Sequence, residues 1–463
     1  MLDVVIIGAG LAGLSASISL RRAGHKVRIY EGSSCEYEIG AALNITPNTA
    51  RFLTRWGLDP VASDFVKAGT IYDQDPVTME ILGTDSHADS EDYYDANLWY
   101  AHRVDLHETL RKMATGSAGP GVPVVIHLNS PAARYDPDLP AVYLENREEI
   151  RADLIVGADG IRSTAREVVF GHESTPVPPK HHNMCYRFLI PAEVLEADPE
   201  TKFWNENVDG LIRVMTDEKT DRRLIAYTCR NNTIHNFMGL TCENDIDPAA
   251  REDFQVGFDK AQLMEKFSGL HPSLMAVINK ATDVRQWPLW YHPPAPTWHK
   301  GKMVLAGDAA HPVLPQQGQG GAMALEDGLA LGIVMAAATD AADVEKLLGM
   351  YEKIRRSRVS MIQVLSNVGR DGAYFDENEL SEFMPKEQIP KTIKEFYTYD
   401  FEYDVADEAI KTMEEFDSSF HVPHDFFEDD SFNMSLVSEE LSKMCGFITV
   451  ETCISVETEE TTA

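Results

Sequence analysis

The chain has 463 residues, 44% of them hydrophobic and 25% charged, enough to bury a large core in two or three structural units. Its formal net charge of −33, from 41 basic and 74 acidic residues, argues against broad contact with nucleic acid, which requires a basic surface. There is no run of about 18 or more apolar residues, so no stable membrane insertion is expected.

The first strand begins at Leu2 or Asp3, which leaves no room for a signal or transit peptide and points to a cytoplasmic address. Val4-Val5-Ile6-Ile7 reads as a buried parallel strand. Gly8-Ala9-Gly10-Leu11-Ala12-Gly13 then turns the chain into a helix whose apolar side carries Leu11, Leu14, Ile18 and Leu20. Such a turn aims free backbone N–H groups and the positive end of a helix at a pyrophosphate. Gly8 permits the turn, Gly10 lets the backbone approach phosphate, and Gly13 lets helix and strand pack closely. A second strand, Val27-Arg28-Ile29-Tyr30, ends in Glu31, an acid about 20 residues after the glycines and placed to bind a ribose hydroxyl pair. Strand, glycine turn, helix and acid together predict a dinucleotide site.

A helix is expected from about Thr49 to Trp56, ended by Gly57, followed by weak alternation over 70–100 with an acidic loop from Asp85 to Asp95. Ala101-His102-Arg103-Val104-Asp105-Leu106 opens an amphipathic helix to about Met113, and Val122–Leu128 and Ala141–Leu144 read as strands. The stretch Ala152 to Ser163 is an apolar strand ending in a tight turn at Asp159-Gly160. From about Pro176 to Trp287 the pattern changes to β-branched and aromatic runs, at Cys185–Ile190, Leu211–Met215, Leu224–Cys229 and His235–Leu240, which predicts a separate sheet. Helical pieces follow at Phe254–Phe267 and Leu274–Ala281. Met303-Val304-Leu305-Ala306-Gly307-Asp308 returns to the first strand type, ahead of long helices at Gly320–Ala338 and Val344–Val368. Short helices and an acidic tail, disordered over its last ten or so residues, are expected beyond Arg370. The six cysteines are scattered without a CxxC pair, which fits reduced thiols rather than disulfides or zinc.

Three stretches now converge: Gly8–Gly13 with Glu31, Asp159-Gly160, and Gly307-Asp308. Together they resemble the class A flavoprotein monooxygenases of the salicylate and para-hydroxybenzoate hydroxylase type, in outline from Met1 to about Gly369. The resemblance implies FAD, a transiently visiting reduced nicotinamide, NAD(P)H, as electron donor, and O2 that adds to the flavin at C4a before an electron-rich ring attacks the distal oxygen. It implies an α/β fold: an FAD-binding domain with a parallel sheet, interrupted by an antiparallel β substrate domain, plus C-terminal helices. The expected division is 1–175 and 296–370 for the FAD-binding domain, 176–295 for the substrate domain, and 371–463 for a helical C-terminal region.

Within that frame the Asp308 carboxylate can accept hydrogen bonds from the ribityl chain, or alternatively cap the next segment. Pro315 and the Gln-Gly run lead to a helix start at Gly320 and Gly321, whose N–H groups suit the negative charge of a reduced flavin. Asp159 resembles the family's second fingerprint near the pyrophosphate, although a plain turn also explains Asp-Gly. Arg103 matches the family arginine that contacts the flavin cofactor, and Arg162 and Arg166 either meet phosphate or lie on the surface. In the middle sheet, Arg187 and Tyr227 are the candidates to hold a phenolate, against a structural ion pair and core packing as alternatives. Trp287, Trp290, Tyr291 and His292 are expected to wall the pocket or the domain joint; related hydroxylases often carry an Asp-Arg pair there, which this chain lacks. His311, with no acidic or cysteine partner at ligand spacing, is read as structural. The expected reaction is hydroxylation of a small phenolic or polyketide-like aromatic. An epoxidase, a Baeyer–Villiger-like oxygenase or a non-catalytic flavin-binding regulator would share the cofactor motifs.

Overall fold

Val4, Val5, Ile6 and Ile7 are all buried because the strand Asp3–Ile7 lies inside a six-stranded sheet in the computed structural model, which describes residues 1–34, 41–243, 258–368 and 375–427. The strand order is His299–Lys300, Met303–Leu305, Leu154–Gly157, Asp3–Ile7, Lys26–Tyr30, Val125–His127. All pairings are parallel except that of the edge strand His299–Lys300. A run without alternation is what burial on both faces of a parallel sheet demands.

The helix Leu11–Arg22 packs along Gly320–Met335 at very short range. The closeness comes from small residues. A Cβ at Gly328 would stand 2.3 Å from the Ala16 nitrogen, and one at Gly332 would stand 1.8 Å from the Ser19 hydroxyl oxygen. At that separation the Ser15 and Ser19 hydroxyls donate to the Leu325 and Leu329 carbonyls, at 2.7 and 3.2 Å. The Ala- and Gly-rich composition of the later helix is thus a packing requirement of the earlier one.

The middle sheet has seven strands in the order Arg285–Pro288, Met184–Pro191, Ile234–Thr241, Arg222–Cys229, Ile212–Asp217, Thr70–Gln74, Ile81–Ser86. It is antiparallel except where Thr70–Gln74 runs parallel to Ile212–Asp217. A boundary at 175/176 therefore leaves out two strands that the chain supplies from far upstream. The edge strand Ile81–Ser86 is largely exposed on both faces, so it has no hydrophobic alternation to betray it. One face of the sheet packs on a core containing Phe188, Phe237, Trp204 and Phe267. On the other face, period-two geometry lines up Arg187, Met238, Ile225 and Val214 in one cross-strand row, with Tyr227 and Ile212 in the next.

Three further helices matter for the site: Val344–Ser366, Ile393–Phe401 and Val405–Phe416. Among the described residues no helix is long and apolar enough to cross a membrane. The start of the expected helix Phe254–Phe267 and the acidic tail after residue 427 lie outside the described residues. So do Cys35, Cys445 and Cys453; Cys185 and Cys229 are buried thiols and Cys242 is exposed.

Candidate functional site

The glycines of the first turn divide by what stands behind each Cα. Gly8 adopts φ +103°, and a Cβ there would meet the Ala158 carbonyl oxygen at 2.2 Å. A Cβ on Gly13 would meet the Gly8 carbonyl oxygen at 2.0 Å. Both are demanded by packing. A Cβ on Gly10 would meet nothing within 4 Å among the described residues, and its open side lines a cavity of about 600 Å³. Gly10 precedes the helix Leu11–Arg22, whose start no side chain caps among the described residues, so its first N–H groups remain available to an anion. The Glu31 carboxylate stands beside this turn and accepts hydrogen bonds from the Ala9 N–H at 2.7 Å and the Ser33 N–H at 2.8 Å.

Asp159 does not line the cavity, whereas its neighbour Gly160 does. The Asp159 carboxylate receives the Ser163 hydroxyl at 2.5 Å, the Ala165 N–H at 3.1 Å and the Tyr135 hydroxyl at 3.2 Å, and so fixes the turn into the helix Thr164–Phe170. Arg166 is buried and donates to the backbone carbonyls of Ala309, at 2.7 Å, and Asp308, which clamps this turn to the segment at 307–309. These contacts make Arg166 a tie between two backbone segments, while Arg162 lies exposed.

Arg103, Asp308, Pro315, Gly320 and Gly321 all line the same cavity as Gly10. The Asp308 side chain opens into a recess enclosed by protein. Burial there raises its pKa, against the opposing charges of His311, Arg166 and Arg103. The segment carrying it is held from beneath by Asp327, a fully buried carboxylate that accepts from the Gly307 N–H at 2.8 Å and pairs with His311 at 2.5 Å. His311 therefore has an acidic partner after all, supplied 16 residues later by a helix rather than at local spacing. Asp327 also takes the Arg355 Nε at 2.9 Å, and Arg355 pairs with Glu326 at 2.7 Å, all three side chains lying fully buried.

From the sheet, Arg187, Arg223, Tyr227, Met238, Ile212, Val214 and Ile225 complete the far wall. Arg187 has no carboxylate partner among the described residues. Its Nη2 approaches the Met238 sulfur at 3.4 Å, its guanidinium lies 5.4 Å from the Trp287 ring centroid, and its Nε is buried without a hydrogen bond. The structural ion pair considered for it from sequence is thus replaced by apolar neighbours. The Tyr227 ring lies 4.7 Å from that of Tyr100, and burial raises the Tyr227 pKa against the opposing Arg187 charge. Tyr100 and Tyr227 both line the cavity, and the Tyr100 hydroxyl is buried without a partner.

Tyr291 and His292 fall outside the cavity lining; the first pairs within the middle domain, whereas the second ties that domain to the helix Val344–Ser366. Tyr291 bridges to Val177, and the His292 carbonyl accepts from Gln363 Nε2 at 3.2 Å. Residues that sequence reading passed over include Asp327 and Glu326 beneath the Asp308 turn, and Ile393, Phe396, Tyr397 and Phe401 in the cavity wall. A signal for the acids existed: Glu326-Asp327 interrupts an otherwise apolar helix, where charge is costly unless paired.

Comparison with known proteins agrees with this geometry. A family described as FAD binding domain matches residues 1–364. The FAD-dependent monooxygenase cfoG of Aspergillus candidus is 43% identical over 426 residues, covering 92% of this chain and 98% of that one. The hispidin-3-hydroxylase of Neonothopanus nambi is 34% identical over 377 residues, covering 78% and 86%. Among solved structures, CtdE in complex with FAD and a substrate superposes with a TM-score of 0.72 at 21% identity, over 90% of this chain and 98% of that one, a likeness of fold.

Proposed function

Because the chain belongs to the FAD-dependent monooxygenases built on this FAD-binding domain, we propose that it uses NAD(P)H and O2 to hydroxylate a phenolic or polyketide-like aromatic. The observation that carries this reading is the single cavity lined both by Gly10, Arg103, Asp308, Pro315, Gly320 and Gly321 and by Arg187 and Tyr227. A hydroxylase among the relatives supports the reaction type. The FAD unit comprises 1–175 without the two strands of 70–86, together with 296–370. A cytosolic address goes with this reading, since reduced nicotinamide is supplied there.

The residues fit FAD. Gly10 leaves backbone N–H groups open to the pyrophosphate, and Glu31 keeps lone pairs for ribose hydroxyls beyond its two backbone bonds. Asp308 would accept from the ribityl chain, on a turn that Asp327 and Arg166 hold, and Asp159 would act at one remove by shaping the turn at Gly160. The helix start at Gly320 and Gly321 would supply N–H groups to the flavin ring. When bound, the flavin supplies the redox chemistry, accepting electrons from the nicotinamide and activating oxygen.

What remains for this chain is to seat the substrate, hold its phenolic proton off, and exclude water. Asp308 is the only acidic side chain among the described residues lining the cavity, against Arg103, Arg187 and Arg223. In a protein of net charge −33 this makes the cavity locally receptive to an anion. Arg187 lies two strands and one same-face step from Tyr227, a backbone separation of roughly 12 Å, so the two side chains flank a ring rather than grip one atom. Arg187 favours the ionised oxygen, and Tyr227 donates a hydrogen bond to the other side of the ring.

Arg187→Lys keeps the charge but loses the planar fork, and is expected to hydroxylate poorly while remaining yellow. Tyr227→Phe is expected to lower product formation by roughly 10²-fold, the loss typical of one donor that matters most in the transition state. In both, nicotinamide oxidation continues and oxygen leaves as hydrogen peroxide. The measurement is product per NAD(P)H consumed, beside the flavin spectrum; undiminished coupling in both variants would remove them from the substrate site.

A further inference from the structure

Ile393, Phe396, Tyr397 and Phe401 stand at spacings of three, four and eight residues, which places them on one face of the helix Ile393–Phe401. That face is shared between core and cavity: Phe401, 4% exposed, joins Leu98, Tyr100 and Tyr227 in an apolar cluster against which Tyr397 packs. All four residues line the cavity, and Ile393 is 46% exposed at its lip. Ile71, His87, Leu98 and Tyr100 line the same cavity beside them. The His87 ring meets those of Tyr397 and Phe401 edge-on, with centroids 5.1 and 5.9 Å apart.

The helix is fixed firmly enough to act as a wall. At its start, Thr392 and Glu395 form a reciprocal cap, and the Glu395 carboxylate also accepts the Lys391 N–H at 2.6 Å. At its end, Arg358 donates to the carbonyls of Tyr399 and Asp400, at 2.5 and 2.9 Å, and Arg51 donates to that of Phe401 at 3.1 Å. A helix pinned at both ends, with Ile393 exposed and Phe396 and Tyr397 half-buried at the cavity, presents that space with an apolar wall suited to an apolar occupant.

We propose that this stripe is the roof of the substrate chamber and a specificity determinant. It receives an apolar arm of the substrate while the ionisable ring sits toward Arg187, Tyr227 and the flavin. The inference rests on the hydroxylase reading for the identity of the ring. Its own content is the arm: a bare phenol fills only the inner part of the cavity, and the outer part selects for an alkyl or aryl extension.

The test is calorimetric binding of resorcinol and 4-hexylresorcinol to the FAD-loaded protein without nicotinamide, so that no turnover is needed. The arm is expected to tighten binding by at least about tenfold, a fraction of what full burial of six methylene-sized groups would supply. Phe396→Ala and Ile393→Asn are each expected to bring the ratio of the two constants toward one. Ile393→Asn serves as the safer variant because its site is exposed and the cap at Thr392 and Glu395 is retained. Equal affinities in the parent protein, or an unchanged ratio in Ile393→Asn, would overturn the roof. Absence of NAD(P)H consumption with either phenol would instead overturn the hydroxylase reading, and the binding ratio would still decide the arm.

Discussion

Gly10→Val is expected to fold and to purify without flavin, with FAD affinity reduced by roughly a hundredfold or more, about 2.7 kcal/mol. The argument depends on what surrounds each glycine rather than on the motif. Among the described residues nothing beyond its own chain neighbours lies within 4 Å of a Cβ on Gly10, so the fold has no objection to a side chain. The space that side chain would fill is the cavity itself, at the start of a helix whose N–H groups must reach phosphate. Gly13→Ala makes the contrast. Its Cβ would stand 2.0 Å from the Gly8 carbonyl oxygen, so the strand and helix must separate and the melting temperature must fall with or without FAD. Thermal melts of both apoproteins, with FAD titrated into each, separate the two roles. Full flavin occupancy in Gly10→Val would remove the pyrophosphate from this turn.

The difference between these two glycines also marks how far the sequence could be read. Hydrophobic period and turn chemistry identified the strand Asp3–Ile7, the glycine turn and the long helix at 320, because those features are local. Arg187 and Tyr227 were recognisable as polar groups on strands of the middle sheet. Their separation across two strands became visible only through the register that pairs Arg187 with Met238 and Tyr227 with Asn236. The edge strand Ile81–Ser86 escaped because an exposed edge imposes no pattern, and the internal strand Thr70–Gln74 because nothing in its own five residues announces its pairing with Ile212–Asp217. The helix Ile393–Phe401 escaped for a different reason: its stripe is that of any packed helix, and only the fold reveals that it faces a cavity. His311 shows the general limit. Its partner is chosen by where the helix Gly320–Met335 packs under the loop after Gly307–Ala309, and no spacing in the chain announces Asp327.

Asp327→Ala is expected to destabilise the protein by about 3–5 kcal/mol, the cost of removing one member of a buried ionic set. Three groups lose their acceptor at once: the Gly307 N–H, the His311 ring and the Arg355 Nε. Arg355 keeps Glu326 at 2.7 Å, which limits the loss, but the two buried cations Arg355 and Arg358 are then left with one fewer carboxylate. Disrupting the half-buried pair Arg356–Glu352 at 3.5 Å by Arg356→Ala is expected to cost less, about 1 kcal/mol, because Glu352 keeps His299 at 2.7 Å. The pH dependence fixes the sign. Burial alone would raise the Asp327 pKa, yet His311, Arg355 and the Gly307 N–H outweigh it and hold the carboxyl below its ordinary value. Stability contributed by such a group is present above the unfolded-state pKa and is lost as the pH falls below about 4. Denaturant melts of wild type and Asp327→Ala should therefore lie farthest apart near neutrality and converge on acidification. The variant should also bind FAD more weakly, because the turn that presents Asp308 has lost the carboxylate beneath it. A gap that stays constant down to about pH 3 would mean that Asp327 is not held as a carboxylate by this network.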